Sequence, residues 1–268
     1  MKTRFILSIA FAAMVFTFIS CSKGSTSNNN SNGDSTYVIS EDSSFQIGNP
    51  GNNQVRVFTY NNNNLIKVQY KQGGSASFTN YDTIYFANGY PSKVVSYNVG
   101  NPVAYDSSLY FYSGGLVDSM REIGTNNNGA YIATTIFVYN SSKLDSMSVH
   151  YYVGSPSGGG GGPTALSSIV YSGNNFASAI AYTPSPVAVT ITADLTASNP
   201  YYGLVFSGNV GSILSFFDKN NALKVFETST PTNVLYNDSY TYSNGRVATY
   251  TDSTSSPYTT TNITYTKL

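Results

Sequence analysis

Tryptophan is absent from this chain, and cysteine and histidine occur once each. With Cys21 as the lone thiol no internal disulfide forms, and a structural zinc site lacks His and Cys ligands. Any Ser-His-Asp or Cys-His site would rest on His150 alone. Charge is scarce too: 10% of residues are Asp, Glu, Lys or Arg, where about 25% is usual in globular proteins. No P-loop, dinucleotide fingerprint or EF-hand spacing occurs. Most of the 13 carboxylates stand singly at turns or strand starts, Glu41-Asp42 excepted, which gives a glycosidase-like pair little footing. These absences predict a protein that is not an enzyme and that uses no metal or cofactor.

What the chain has instead is aromatic and small polar residues. Tyr (24) and Phe (15) are abundant, and Ser, Thr and Asn supply the polarity that charge does not. That composition suits an exported β protein.

The first residues agree with export. Lys2 and Arg4 precede an apolar run from Phe5 to Ile19, followed by Ser20 and Cys21. This is the charged, apolar and cleavage-site order of a signal peptide, and the run is short for a spanning helix. Phe18-Ile19-Ser20-Cys21 resembles the lipobox of bacterial lipoproteins, with Phe18 where Leu is usual. That resemblance implies a signal peptide over 1–20, cleavage before Cys21, and a Cys21 acylated on both its thiol and its new amine. Several acyl chains make a stable membrane anchor. Removing Lys2 and Arg4 leaves 11 basic against 13 acidic residues and no basic cluster, which argues against nucleic acid as a partner.

Residues 21–36 read as the lipidated Cys and a Ser/Asn tether, with nothing apolar in Ser22–Thr36 to bury. About 15 such residues reach roughly 20 Å. In Bacteroidota-type lipoproteins acidic residues after the Cys favour surface display; Ser22-Lys23-Gly24-Ser25-Thr26 has none. The anchor is therefore expected in the outer membrane, facing the periplasm.

From Tyr37 to Leu268 the chain reads as one repeat domain. Its clearest unit is Ile132–Tyr152: Ile136–Tyr139 is β-branched and aromatic, Asn140-Ser141-Ser142 is turn chemistry, and the return arm alternates. Met147, Val149 and Tyr151 fall on one face, Ser146, Ser148 and His150 on the other. His150 on that polar face reads as a solvated strand residue. Similar units centre on Tyr60, Phe86, Tyr112, Tyr139, Tyr171, Phe217 and Tyr242, with Asn88-Gly89 and Asn244-Gly245 as tight hairpin turns. The spacings are 26, 26, 27, 32, 46 and 25 residues.

Seven hairpins predict an all-β antiparallel meander of about fourteen strands. A sheet that wide must curl, close or split, so a strongly curled or barrel-like form is expected. Tight turns gather at one end; longer connections at Gln72–Asn80, Asn98–Asp106, Gly124–Gly129 and the glycine run Gly158–Gly162 gather at the other. The 46-residue step marks an insertion near 198–217, read as a loop with a short helix covering an edge or an opening. As a ligand mouth it would make Tyr201 and Tyr202 binding residues.

The tyrosine-rich hairpins resemble the tyrosine–aspartate repeats of Rhs-type shells. The lipobox, tether, hairpins, Asn199–Leu204 (NPYYGL) and Asp218-Lys219-Asn220-Asn221 together resemble Bacteroidota lipoproteins of unknown function described as porin-like in fold. The resemblance implies a fold and an address, and no catalytic residue. Asp82-Thr83-Ile84, Asp118-Ser119-Met120, Asp145-Ser146-Met147 and Asp252-Ser253-Thr254 resemble the Asp-Ser/Thr-apolar sequon for O-glycosylation in exported Bacteroidota proteins. It implies glycans on Thr83, Ser119, Ser146 and Ser253; a plain polar face of the repeat is the alternative.

Three functions fit. The first is a non-catalytic, monomeric binding module for a glycan, peptide or apolar ligand, anchored to the membrane by lipid. The second is a structural envelope scaffold. The third is a transmembrane barrel, which would need an outward apolar belt. A row of exposed Tyr across adjacent strands would separate binder from scaffold.

Overall fold

The computed structural model describes residues 37–126, 129–153, 165–182, 185–206, 219–254 and 258–268. The signal peptide, Cys21, the tether and the Gly158–Gly162 run lie outside the described residues, as does Phe217.

The chain forms one closed antiparallel barrel in which every strand pairs with its sequence neighbours and the last pairs with the first. Its strands are β1 (Tyr37–Gln46), β2 (Gln54–Asn61), β3 (Asn64–Gln72), β4 (Asn80–Ala87), β5 (Tyr90–Asn98), β6 (Ala104–Ser113), β7 (Leu116–Asn126) and β8 (Gly129–Asn140). They continue as β9 (Lys143–Val153), β10 (Ala165–Ser172), β11 (Asn175–Tyr182), β12 (Pro186–Ser198), β13 (Asn220–Glu227), β14 (Val234–Ser243), β15 (Arg246–Asp252) and β16 (Thr259–Lys267).

Six of the expected hairpins form as read: β2–β3, β4–β5, β6–β7, β8–β9, β10–β11 and β14–β15. Their turns follow from chemistry. Asn88-Gly89 and Asn244-Gly245 both hold two successive residues at positive φ, between 51° and 81°, the geometry that matches strand twist in a two-residue loop. Almost every hairpin also carries a bulge one pair in from the turn, as between Thr59 and Tyr60, Phe111 and Tyr112, or Val138 and Tyr139. The bulge turns the repeat aromatic inward, onto an apolar partner: Tyr60 on Leu65, Tyr112 on Val117, Tyr139 on Leu144 and Tyr242 on Val247.

The strand count corrects the expectation of fourteen. β1, β12 and β16 belong to no turn-punctuated hairpin, so the repeat pattern could not reveal them. β1 and β16 meet across the closure, Tyr37 opposite Lys267, with no loop between them. Gly124–Gly129 is likewise not a long connection. β7 and β8 continue to Asn126 opposite Gly129. No helix stands in the described part of the insertion: Pro200–Gly203 is a turn, with the Tyr202 amide donating to Asn199 (3.2 Å).

Sixteen strands in a round barrel would leave a wide channel. Here the inward residues are buried in one continuous cluster, from Ile39 and Phe58 through Met120 and Phe137 to Val247 and Ile263. The segment after β12 completes the filling. Tyr201, Val205 and Phe206 are buried, and Phe206 meets Phe58 of β2 edge-on, ring centroids 5.7 Å apart.

The repeat tyrosines also join neighbouring hairpins. Tyr139 donates its hydroxyl to the Val117 carbonyl of the preceding hairpin (2.8 Å), and Tyr171 does the same to Leu144 (3.1 Å). Tyr60 and Tyr242 hold the equivalent place with buried hydroxyls that have no partner. Tyr139→Phe is therefore expected to cost about 1 kcal/mol, while Tyr60→Phe and Tyr242→Phe are neutral or stabilising, because they remove an unsatisfied group. Urea unfolding of the three variants checks this; equal losses in all three would refute it.

Candidate functional site

Four aspartates, Asp42, Asp82, Asp106 and Asp238, line the lumen, and each meets a tyrosine. Asp82, fully buried, accepts from Tyr70 (2.5 Å) and Ser96 (2.7 Å). Asp106 accepts from Tyr131 (2.6 Å), and Asp238 from Tyr236 and Tyr240. Asp42 accepts from Tyr201 (2.7 Å) and pairs with Arg56 at 2.7 Å. Strand alternation turns Asp82 and Asp238 inward, while Asp42 and Asp106 follow bulges at Ser40 and Tyr105.

Arg56 brings a cation into the lumen. Its guanidinium lies 5.2 Å over the Tyr201 ring and 5.4 Å over Phe206. Burial works against its charge, but Tyr201 and Asp42 beside it hold its pKa above the ordinary arginine value. Glu122 is the opposite case. Burial first, then the charge of Asp106, pushes its pKa up to about 7. Burial pushes Asp238 up to about 6.

The residues singled out in sequence are not brought together. Tyr201 is inside, 8% exposed and committed to Asp42, whereas its neighbour Tyr202 is 38% exposed. Thr83, Ser119 and Ser146 each alternate with an inward residue (Asp82, Met120, Met147) and so face outward, half-buried. Ser253 lies just past β15, its Oγ donating to the Asn237 carbonyl (3.0 Å). The four triplets differ, since Asp82 is buried while Asp118 and Asp145 are exposed. His150 is exposed on the outer wall, its Nε2 3.0 Å from Ser148 Oγ.

The outer wall carries what the sequence reading missed. On β4 and β5 the paired Tyr81 and Tyr97 stack, centroids 5.2 Å apart and planes 22° apart. Tyr85, 47% exposed, alternates outward on the same strand as Tyr81, and Lys67 stands 4.7 Å over the Tyr81 ring. Val95 alternates outward between them yet is 4% exposed, so the cluster roofs it. Period-two spacing in Tyr81-x-x-x-Tyr85 and a Tyr97 two residues past Val95 were the available signals; register was needed to join them.

The outer wall mixes polar and apolar side chains. Lys67, Gln69 and Lys71 alternate outward on β3, and Ser239 and Thr241 on β14. Apolar side chains break through on neighbouring strands β6–β8, where Phe111 (50% exposed) and Ile136 (39%) flank Ser119, and Val138 (49%) pairs with Ser146.

No family model matches the chain, and no curated protein matches it. Among solved structures it is similar to a porin-like protein from Bacteroides uniformis, with a TM-score of 0.50, 13% identity, and coverage of 86% of this chain and 96% of that one. It is also similar to a porin-like protein from Bacteroides vulgatus, at a TM-score of 0.34 and 9% identity over 88% of this chain and 100% of that one. The first likeness speaks to the fold: an all-β, antiparallel, porin-like barrel.

Two outcomes follow from the lumen. Arg56→Met leaves Asp42 as a buried charge without its cation and is expected to cost about 3–5 kcal/mol, while the double change to Arg56→Met with Asp42→Leu recovers most of it. Equilibrium unfolding of both variants checks this. Glu122 binds its proton more tightly in the folded state than in the unfolded one, so stability is greatest below about pH 4.5 and falls as pH rises through about 7. Asp238 acts in the same direction up to about pH 6. A melting temperature roughly 5 °C lower at pH 8 than at pH 5.5 is expected, with the difference cut to about a third in Glu122→Gln. A melt that rises with pH would contradict it.

Proposed function

We propose that this chain is a lipid-anchored envelope protein whose barrel is a water-soluble, non-catalytic binding module for glycans. The observation that carries the reading is the outer tyrosine platform, Tyr81, Tyr85 and Tyr97 with Lys67 at its edge, on adjacent strands. Flat rings offer the apolar faces of a sugar a surface, while phenol hydroxyls and an ammonium at the rim offer hydrogen bonds.

Closure of the sheet fits the transmembrane alternative, since only closed barrels and helices satisfy the backbone in lipid. The distribution of side chains supports the soluble reading instead. A spanning barrel turns an apolar belt outward around its whole circumference and keeps polar groups inside. Here the lumen is filled with apolar and aromatic side chains, and Lys67, Gln69 and Lys71 of β3 and Ser239 and Thr241 of β14 alternate outward. Exposed apolar residues stand on β6–β8 and also at Phe45 of β1, Val170 of β10, Leu195 of β12 and Leu235 of β14, interspersed with these polar positions.

Anchoring at Cys21 would give the barrel a defined orientation. β1 starts at Tyr37, at the end that carries the tight turns, so the tether enters there. The longer β3–β4 and β5–β6 connections then face away from the membrane.

The barrel Tyr37–Leu268 closes on itself, so it can be produced without Cys21. It is expected to stay soluble and monomeric without detergent and to give a reproducible hit on a glycan array, weakened about tenfold by Tyr85→Ala or Tyr97→Ala. A requirement for detergent would make the spanning barrel the better reading. Solubility with no glycan hit would leave the envelope scaffold in its place.

A further inference from the structure

A second place in the molecule is built to hold something. Between the Asn199–Tyr201 turn and strands β13–β15 lies a cavity of about 50 Å³, lined by Asn221, Ala222, Tyr236, Asp238, Tyr240 and Tyr250 among others. Two of its polar atoms are orphans. Asn221 is 5% exposed, and its Nδ2 donates to nothing; Asp238 is 6% exposed, and its Oδ1 accepts from nothing. Leaving such groups unpaired costs about 1–3 kcal/mol each, more for a charged one.

The pair is complementary, one donor and one acceptor in a shared space. A cation would satisfy only the carboxylate, and an anion would satisfy only the amide while being repelled by Asp238. A hydroxyl does both at once, accepting from Nδ2 and donating to Oδ1. Water has the same ability, and the volume would admit a few waters. Each of those needs two to four polar partners, however. The remaining walls include the Ala222 and Val247 side chains and the rings of Tyr236, Tyr240 and Tyr250. Ala222, Val247 and the tyrosines offer carbon beside the polar atoms, so the lining matches a group that carries a hydroxyl on an apolar carbon.

We infer that this cavity is a site for the hydroxymethyl end of a neutral polyol or saccharide, held by Asn221 and Asp238 against the tyrosine rings. The site is separate from the outer platform, which lies on β4 and β5.

The test is an NMR titration of the full mature chain with labelled asparagine, the Asn221 side-chain amide being identified by its loss in Asn221→Asp. Probes are glycerol and methyl β-glucopyranoside, with acetate as the control. The inference expects a saturable shift of the Asn221 amide with both polyols, at dissociation constants on the order of millimolar, and none with acetate. It also expects binding at least about tenfold weaker in the isosteric Asp238→Asn, whose fold is checked by its melting temperature. Should Asp238→Asn fail to fold, Asn221→Asp is titrated by following the Tyr ring resonances, with the same loss expected. No saturable shift, an equal response to acetate, or unchanged binding in the folded variant overturns the proposal and leaves the cavity to water.

Discussion

A sheet that closes over sixteen strands must fill what it encloses. The fold meets that constraint with tyrosine, and most of its other features follow from the choice. A phenol is large enough to reach toward the middle of a wide lumen, but it carries a hydroxyl that cannot be buried alone. The inward aspartates answer that need: Asp42, Asp82, Asp106 and Asp238 each accept from at least one tyrosine. The backbone answers it elsewhere, with the Val117, Leu144 and Ala222 carbonyls as acceptors. The scarcity of charge and the wealth of tyrosine in the sequence are thus two sides of one packing solution.

The same solution gives the barrel a filled interior. A sixteen-stranded wall with a wet lumen would place its polar residues inside and its apolar ones against lipid. Here four aspartates inside are bonded to phenols, Asp42 also to Arg56, and Lys67, Lys71, Ser239 and Thr241 alternate outward. Likeness of fold to porin-like proteins therefore sits with an interior that is filled. Fold and transport are separable properties, since the first depends on backbone pairing and the second on which side chains occupy the inner face.

The hairpins were readable because their turns are local: Asn88-Gly89 and Asn244-Gly245 declare a positive-φ pair within two residues. Met147 inward and Ser146, Ser148 and His150 outward were readable because period two needs only one strand. What escaped depends on residues far apart. β1 and β16 have no turn between them, so their pairing is invisible to any local pattern. Asp82-Thr83-Ile84 looked like Asp118-Ser119-Met120, yet a bulge beside the turn exposes Asp118 while regular alternation buries Asp82. Tyr201 looked like the rim of a mouth, and only the closed barrel places Asp42 within reach of its hydroxyl. The outer platform needed the register that sets Tyr97 opposite Tyr81.

Closure and filling are coupled at one point. Asp42 sits on β1 and Arg56 on β2, next to the seam with β16, while Tyr201 arrives from the end of β12, five strands away around the wall. The three groups meet only when the seam is shut and the insertion is inside. Partial assemblies are penalised: with the seam shut and the insertion out, the ion pair loses the Tyr201 and Phe206 rings that shield Arg56. With the insertion in and β1 detached, Tyr201 and Arg56 lose their acceptor, leaving a buried cation uncompensated. A buried ion pair adds little net stability against an apolar substitute, but it discriminates sharply between complete and incomplete arrangements. At this seam, where sixteen strands could close with a neighbour missing or slipped, that discrimination is what the Asp42–Arg56–Tyr201 cluster contributes.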